Sequence, residues 1–187
     1  EFVRLQRDEQ LKATTRGLPA FQIAGLANQS KGGVGQAYPN LPPEMSDSIN
    51  KVAKLFPGVS PAYLGATATI EYGGQFRKDG KTDYGVKSPT SSATGVFQFI
   101  DETWDTVTSN PGVQAVLKAN GYNNITPELR KDPLASTIAA AALASQNKSV
   151  LTSVLHRDVS DAELYMAHFM GATGAAKFLT SYVTNRD

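Results

Sequence analysis

An alanine-rich segment constrains the fold of this chain more than any other feature. The segment PLASTIAAAALASQ, residues 133–146, is apolar on almost every side, and alanine has the highest intrinsic helix propensity. Asp132 and Pro133 supply an N-cap and a first-turn proline at its start. Because a helix that is apolar all round must be covered by other elements, the sequence predicts a central buried helix.

Other segments carry helix signals of the same kind, and strand signals are few. The predicted helices are short and begin or end at caps, glycines and prolines. They open at Ser46, Ser60–Pro61, Asp101 and Ser160, the last with Glu163 in a capping box, and further short pieces end near Asn120–Gly121 and cover residues 150–155 and 175–183. The prediction is a mainly α fold, with many short helices around the central one.

The composition changes near residue 45. Residues 1–15 are charged, and residues 17–43 are rich in Gly, Pro, Gln, Asn and Ser, which is typical of a linker or arm. We therefore expect an N-terminal arm and linker over residues 1–45 and one globular domain over residues 46–187. Since the chain begins at Glu1 and not at Met, we also expect it to be a processed or excised piece.

Charge and composition exclude several classes of function. The net charge of +1 does not favour a nucleic-acid partner, and no apolar run approaches the ~18 residues that span a membrane. There is no Cys, and the spacing of His156 and His168 does not favour a metal site. We expect no cofactor, no membrane span and, for the isolated domain, a monomer.

Glu71 is the first candidate for catalytic chemistry. It follows the pattern Tyr63, Leu64, Thr67 and Ile70, which predicts a core-facing stripe on a helix. Apolar surroundings favour the neutral form of a carboxyl group, and a neutral Glu near pH 7 can donate a proton to a leaving oxygen. The alternative is a solvated Glu at a helix C-terminus.

A second carboxylate near Glu71 would change the chemistry that Glu71 can perform. The candidates are Asp79 and Asp83 in the loop after Glu71, and Asp101 further along the chain. The alternative for the first two is that they are solvated turn residues beside glycines. Gly80-Lys81-Thr82 in the same loop lacks the glycine spacing and the preceding strand of a phosphate-binding loop, so nucleotide binding is not predicted.

Four ordered segments carry a family resemblance. They are ATIEYGGQF around Glu71, SPTSSATGVFQFIDETW, LRKDP and LYMAHFMGATGAAKFL. Together they resemble the lytic transglycosylase domain of tailed-phage endolysins and virion-associated peptidoglycan-degrading enzymes, within the soluble lytic transglycosylase and goose-type lysozyme superfamily. The resemblance covers residues 46–180. The chain departs from the family pattern at Tyr72, where Ser is usual, and in the loop before Gly95, which is longer than usual and basic.

The resemblance implies a lysozyme-like fold with a cleft for glycan strands and a role for each matching residue. Glu71 is the implied single acid/base, and Tyr165 and His168 are implied to face it across the cleft. The implied substrate-binding residues are Gln98 with Phe97 in the cleft wall, Ser91 and Ser92 bonding Glu71 or the N-acetyl group, and Tyr122 as a further substrate tyrosine.

The activity that the resemblance implies is lytic cleavage of the β-1,4 bond between N-acetylmuramic acid and N-acetylglucosamine, which gives 1,6-anhydro ends. Its partner would be bacterial peptidoglycan, and its location a phage virion or the periplasm and cell wall of the host. Two alternatives remain open at this point. One is a hydrolytic muramidase on the same fold, and the other is a non-catalytic wall-binding virion protein.

Overall fold

The structure, a computed structural model, describes residue 38 and residues 40–72, 77–78 and 81–184. Most of this part of the chain is helical, which confirms the predicted mainly α class. The helices are α1 (Pro43–Leu55), α2 (Pro61–Glu71), α3 (Asp101–Thr108), α4 (Pro111–Ala119), α5 (Pro133–Leu155), α6 (Asp161–Met170) and α7 (Ala172–Thr184). A 3-10 turn covers Pro127–Lys131, and two short antiparallel strands, β1 (Arg77–Lys78) and β2 (Lys81–Thr82), pair in the loop after α2.

Helix α5 is the predicted central helix. Residues 135–142 are all buried, and each of the other six helices named above packs against α5. Its polar core residues are satisfied within the first turn, since the Ser136 and Thr137 hydroxyls donate to the carbonyls of Asp132 and Pro133. The Asp132 side chain caps the helix by accepting from the Ala135 amide at 2.8 Å. The prediction of a buried helix at this position is confirmed.

The same helix is longer than the sequence pattern predicted. It runs without interruption to Leu155, so the separate short piece expected at residues 150–155 is wrong. The residues that join the two parts, Asn147, Lys148 and Ser149, contain no glycine or proline, and the Lys148 ammonium reaches the Gly58 carbonyl at 2.7 Å. The helix ends at His156, which adopts a left-handed conformation with φ of 53°.

The predicted domain boundary at residue 45 is also displaced. Helix α1 begins at Pro43 and not at Ser46, and Tyr38, Leu41 and Met45 are buried in the core. Proline at the first helical position needs no amide donor, so the helix starts where the prolines end. The packed part of the chain therefore includes residues assigned to the arm, and residues 1–37 of that arm lie outside the described part.

Two further helix starts differ from prediction. Asp101 is the first helical residue of α3 and not its cap, because its amide bonds the Ser92 hydroxyl at 3.0 Å and Ile100 precedes the helix. Helix α7 begins at Ala172, three residues before the predicted start. Trp104 is buried as predicted, in an edge-to-face contact with Phe99.

Within the described residues, none of the helices combines the length and the apolar character needed to cross a membrane.

Candidate active site

Helix α2 carries Glu71 at its C-terminal end. Ser60 caps the helix by accepting from the Tyr63 amide at 2.9 Å, and residues 62–68 are all buried. The Glu71 side chain is 12% exposed. The alternative of a solvated Glu is therefore wrong for this structure, because neighbouring elements cover most of this side chain.

Helix α6 brings the two predicted partners to this carboxyl group. The Tyr165 hydroxyl donates to Glu71 Oε1 at 3.0 Å, and His168 Nε2 lies 3.3 Å from the same oxygen. The two rings stack with centroids 5.6 Å apart. The capping box that starts α6 is present as predicted, with Ser160 and Glu163 bonded reciprocally. The structure thus brings together an acid, a phenol and an imidazole from two distant segments.

The two oxygens of Glu71 have different surroundings. Oε1 receives Tyr165 and faces His168, whereas no described residue donates a hydrogen bond to Oε2. Burial, followed by the nearby charge of Glu71, raises the pKa of Tyr165 well above its usual range. The phenol therefore remains a hydrogen-bond donor to Oε1 at neutral pH.

A cavity of about 290 Å³ lies on the His168 side of this group. The loop before α3, helices α3, α5 and α6, and the start of α7 line it, and His168 belongs both to this lining and to the contacts of Glu71. The lining residues are Phe97, Gln98, Phe99, Ile100, Glu102, Thr103, Thr106, Val107, Leu143, Gln146, Asn147, Ala167, His168, Phe169, Met170, Gly171, Ala172, Thr173 and Gly174. The volume is near the lower end of the ~300–1,000 Å³ range of ligand sites.

Sequence reasoning missed several polar residues of this lining. Glu102 comes from the first turn of α3, and Gln146 and Asn147 come from α5. No local signal distinguishes Asn147, because it lies in the polar segment SQNKS, residues 145–149, and only the structure shows that its side chain is buried. Among the described residues that line the cavity there is neither Lys nor Arg.

Gln98 and Phe97 line this cavity, whereas Glu71 and Tyr165 are not among its lining residues. A cleft wall formed by Gln98 and Phe97 opposite Glu71 stays a prediction. Gln98 has a φ of 48°, and its side-chain nitrogen donates to the carbonyls of Gly95, at 2.6 Å, and Val86, at 3.2 Å. Phe97 is 1% exposed. The side-chain nitrogen of Gln98 is therefore bonded to the backbone. The contact of Gln98 with a sugar stays a prediction, and the side-chain oxygen is the atom that would make it.

Arg130 holds this loop in place. Its guanidinium donates to the carbonyls of Ser92 and Phe99 at 3.1 and 3.0 Å, and it pairs with Asp101 at 2.7 Å. Gly95 packs so closely on the same segment that an added Cβ would lie 1.9 Å from the Arg130 carbonyl oxygen. The LRKDP segment therefore fixes the loop that lines the cavity.

The two predicted serines are engaged locally and neither bonds Glu71. The Ser91 hydroxyl accepts from the Ala93 amide at 3.2 Å, and the Ser92 hydroxyl accepts from the Asp101 amide at 3.0 Å. The expected bond to Glu71 is thus not formed, because Ser92 caps α3 instead. A contact of either serine with an N-acetyl group stays a prediction.

Tyr122 has a structural partner. Its hydroxyl donates to Asp132 Oδ1 at 2.5 Å, and Asp132 caps the central helix through the same oxygen. Tyr122 is not among the residues that line the cavity. Its predicted role as a substrate tyrosine stays a prediction.

The candidate second carboxylates have other partners. Asp83 accepts from the Gly85 amide at 2.7 Å, and Asp101 pairs with Arg130 while its side chain is 65% exposed. Asp79 lies outside the described residues. The acidic side chain that does line the cavity is Glu102.

A scan against protein-family models finds no match to this chain. In the described part of the chain, no group of three or more His, Asp or Glu side chains is arranged to hold a metal ion.

Proposed function

We propose that this protein is a peptidoglycan lytic transglycosylase that cleaves the β-1,4 bond between N-acetylmuramic acid and N-acetylglucosamine. The observation that carries the proposal is the covered carboxyl group of Glu71, whose Oε1 contacts Tyr165 and His168 beside a cavity. The family resemblance of the four ordered segments supports the same activity. The proposal places the protein in a phage virion or in the periplasm and cell wall of the host.

The first step is proton transfer from Glu71. A neutral Glu71 carrying its proton on Oε2 donates it to the glycosidic oxygen, and the C1–O bond breaks through an oxocarbenium-like state. The N-acetylglucosamine side leaves with that proton on its new hydroxyl group. Tyr165 then stabilises the carboxylate by a hydrogen bond, which is stronger to a charged acceptor than to a neutral one.

The second step needs no other acidic group. The Glu71 carboxylate removes the proton from the C6 hydroxyl of the muramic acid residue, and O6 forms a bond to C1. The product is a 1,6-anhydro ring, water is not consumed, and Glu71 returns to its neutral form. Hydrolysis would require a second carboxylate placed to act as a nucleophile or to activate water. The engagement of Asp83 and Asp101 by other partners favours the route with one carboxyl group.

The position of Glu102 in the cavity lining favours the alternative of a hydrolytic muramidase. Glu102 is acidic and lines the cavity that His168 also lines. If it positions a water molecule opposite Glu71, the product would carry a reducing end. The variant Glu102→Gln separates the two reactions, because a transglycosylase does not need this carboxylate.

Mass spectrometry of muropeptides tests the proposal. Purified cell wall is digested by the unmodified chain, by Glu71→Gln and by the surface control Glu128→Gln. We expect 1,6-anhydro ends, a loss of at least about 100-fold for Glu71→Gln because it removes the acid/base, and little change for the control. Reducing ends that disappear in Glu102→Gln would indicate a muramidase. Wall binding without cleavage by the unmodified chain would indicate a non-catalytic wall-binding protein.

A further inference from the structure

The helices that carry the site are joined by a second link, away from Glu71. The Ser60 hydroxyl donates to Asp161 Oδ2 at 2.6 Å. Ser60 is the N-cap of α2, and Asp161 is the first residue of α6. A distance of 2.6 Å lies in the range of strong hydroxyl–carboxylate hydrogen bonds, about 2.5–2.7 Å.

Ser60 uses both hydrogen-bonding capacities of its hydroxyl group in this link. The oxygen accepts from the Tyr63 amide at 2.9 Å and thereby caps α2, while the proton points to Asp161. The start of α2 and the start of α6 therefore meet at one hydroxyl group. A displacement of Asp161 would break the link without removing the cap of α2.

A second observation places the Asp161 carboxylate against the first turn of α2. The Tyr38 hydroxyl donates to the Ala62 carbonyl at 3.0 Å. Burial, and then the charge of Asp161, raise the pKa of Tyr38 to about 12. The charge of Asp161 thus acts on Tyr38, which bonds α2, in addition to the direct hydrogen bond between Asp161 and Ser60.

The two links are well separated along α2. At about 1.5 Å per residue, Glu71 lies roughly 16 Å from Ser60 along the helix axis. On α6, Tyr165 follows Asp161 by about one turn and His168 by about two turns. A single contact between two helices leaves their angle free, whereas contacts at two separated points fix it. The Ser60–Asp161 link therefore adds a second point of attachment between α2 and α6, beside the packing of α6 on α5 and α7.

We propose that Asp161 is a positioning residue for the active site, which holds α6 against α2 so that Tyr165 and His168 keep their contacts with Glu71 Oε1. This inference rests on the proposed function for its kinetic consequences. Its structural content, the dependence of the Glu71 contacts on Asp161, does not require that the protein cleaves peptidoglycan.

The kinetic test compares Asp161→Ala, Ser60→Ala and the double variant on a soluble glycan oligomer. We expect kcat to fall about tenfold in Asp161→Ala with KM changed less than about twofold. The double variant should be no worse than the more affected single variant, since residues that act through one contact are not additive. Asp161→Asn keeps an acceptor for Ser60 and should retain activity within about threefold of the unmodified chain.

The matched control is Glu163→Gln on the same helix. Glu163 completes the cap of α6 and binds Arg157, without a described contact to α2. This variant should lower the melting temperature with little change in kcat at 25 °C. If it lowers kcat as much as Asp161→Ala does, general loosening of α6 explains the effect and the proposal is wrong.

A readout independent of activity uses the histidines. The sequence contains two, so the variant His156→Asn assigns their NMR signals. In Asp161→Ala we expect the ring signals of His168 to shift and those of His156 to stay in place. Unchanged His168 signals would overturn the positioning role, whether or not the protein cleaves glycan. Shifted signals in a chain that does not cleave glycan would support positioning and contradict the proposed function.

Discussion

At the scale of single residues, the asymmetry of the Glu71 carboxyl group is the main chemical feature. Oε1 has a phenol donor at 3.0 Å and an imidazole nitrogen at 3.3 Å, and no described residue donates to Oε2. A carboxyl group that alternates between acid and base needs a stable charged form and an oxygen free for the substrate. The two contacts on Oε1 stabilise the charged form, and they leave Oε2 available to the substrate.

The variant Tyr165→Phe tests this asymmetry. A hydrogen bond to a charged group contributes about 1.5–3 kcal/mol, so its loss should lower kcat about 10- to 100-fold. KM should change little, because the phenol contacts Glu71 and is not among the residues lining the cavity. Steady-state kinetics on a soluble glycan oligomer measures both constants.

A matched control exists for this variant. Tyr84→Phe also removes a hydroxyl group that donates to a carboxylate, in this case Glu44 at 2.9 Å on the surface. It should leave kcat unchanged. Equal losses in both variants would show that the Tyr165 hydroxyl acts through general stability and not through Glu71.

Part of the site is predictable from the sequence at this scale. The placement of Tyr165 and His168 on one helix face follows from their spacing of three residues. The contact of Tyr165 with Glu71 joins residues 94 positions apart, and local sequence patterns do not predict contacts at such a separation. The family resemblance supplied that expectation. It also led to Ser91 and Ser92 as partners of Glu71, which is wrong here because Ser92 bonds the first amide of α3.

At the scale of elements, the loop before α3 shows how a short segment is held without regular structure. Gly95 has a φ of 82°, Gln98 has a φ of 48°, and the Arg130 guanidinium joins the two ends of the loop through Ser92 and Phe99. Such left-handed conformations are costly for most side chains. The surrounding hydrogen bonds therefore determine the backbone of this cavity wall.

Gly95→Ala tests how tightly the loop is held. The added Cβ would lie 1.9 Å from the Arg130 carbonyl oxygen at a backbone conformation that favours glycine. We expect a loss of about 3 kcal/mol or more in the free energy of unfolding, from overpacking and backbone strain together. Urea denaturation measures the loss.

Gly58→Ala is the control for this substitution. A Cβ at Gly58 meets no atom within 4 Å, so its effect should stay within about 1 kcal/mol. A Gly95→Ala variant as stable as Gly58→Ala would mean that the segment shifts easily and that Arg130 does not fix it.

Element boundaries were predictable where a side chain caps the helix. Ser60, Asp132 and Ser160 were predicted as N-caps, and each accepts a hydrogen bond from a backbone amide of the first turn. Two cap-type residues gave wrong helix starts, because Ser46 and Asp101 both lie inside their helices. Helix α1 starts at a proline without a side-chain cap, and α5 continues through residues 147–149 because packing on its neighbours, and not local propensity, determines its length.

At the scale of the whole molecule, the buried tyrosines make the stability of the core depend on pH in the alkaline range. Burial raises the pKa of Tyr38 to about 12, with the charge of Asp161 as the second cause. Burial likewise raises that of Tyr72 to about 12, followed by the charge of Asp83. Burial is also the first cause of the raised pKa values of Tyr63 and Tyr165. Folding thus favours the neutral phenol in several places at once.

Stability should therefore fall at high pH. Because the folded pKa values lie above the unfolded value of about 10, the stabilisation is fully present below pH 10 and is lost as the pH rises to about 12. The decrease has an upper limit of about 1.4 kcal/mol per pH unit for each buried tyrosine. Urea denaturation at pH 8, 10 and 11 measures it.

Tyr38→Phe provides the internal comparison for this prediction. It removes one of the titrating groups, so its stability should depend less steeply on pH above 10 than that of the unmodified chain. A free energy of unfolding that stays constant from pH 8 to pH 11 would contradict the assignment of buried, protonated tyrosines to the core.

The alanine run of α5 has a consequence for how this protein can vary. Residues 139–142 are buried alanines, which present only methyl groups to the helices that pack on α5. A larger side chain there would push the neighbouring helices apart and separate the acid from its partners without touching either. Among natural variants, we expect this stretch to tolerate exchange for glycine or serine more readily than any increase in volume.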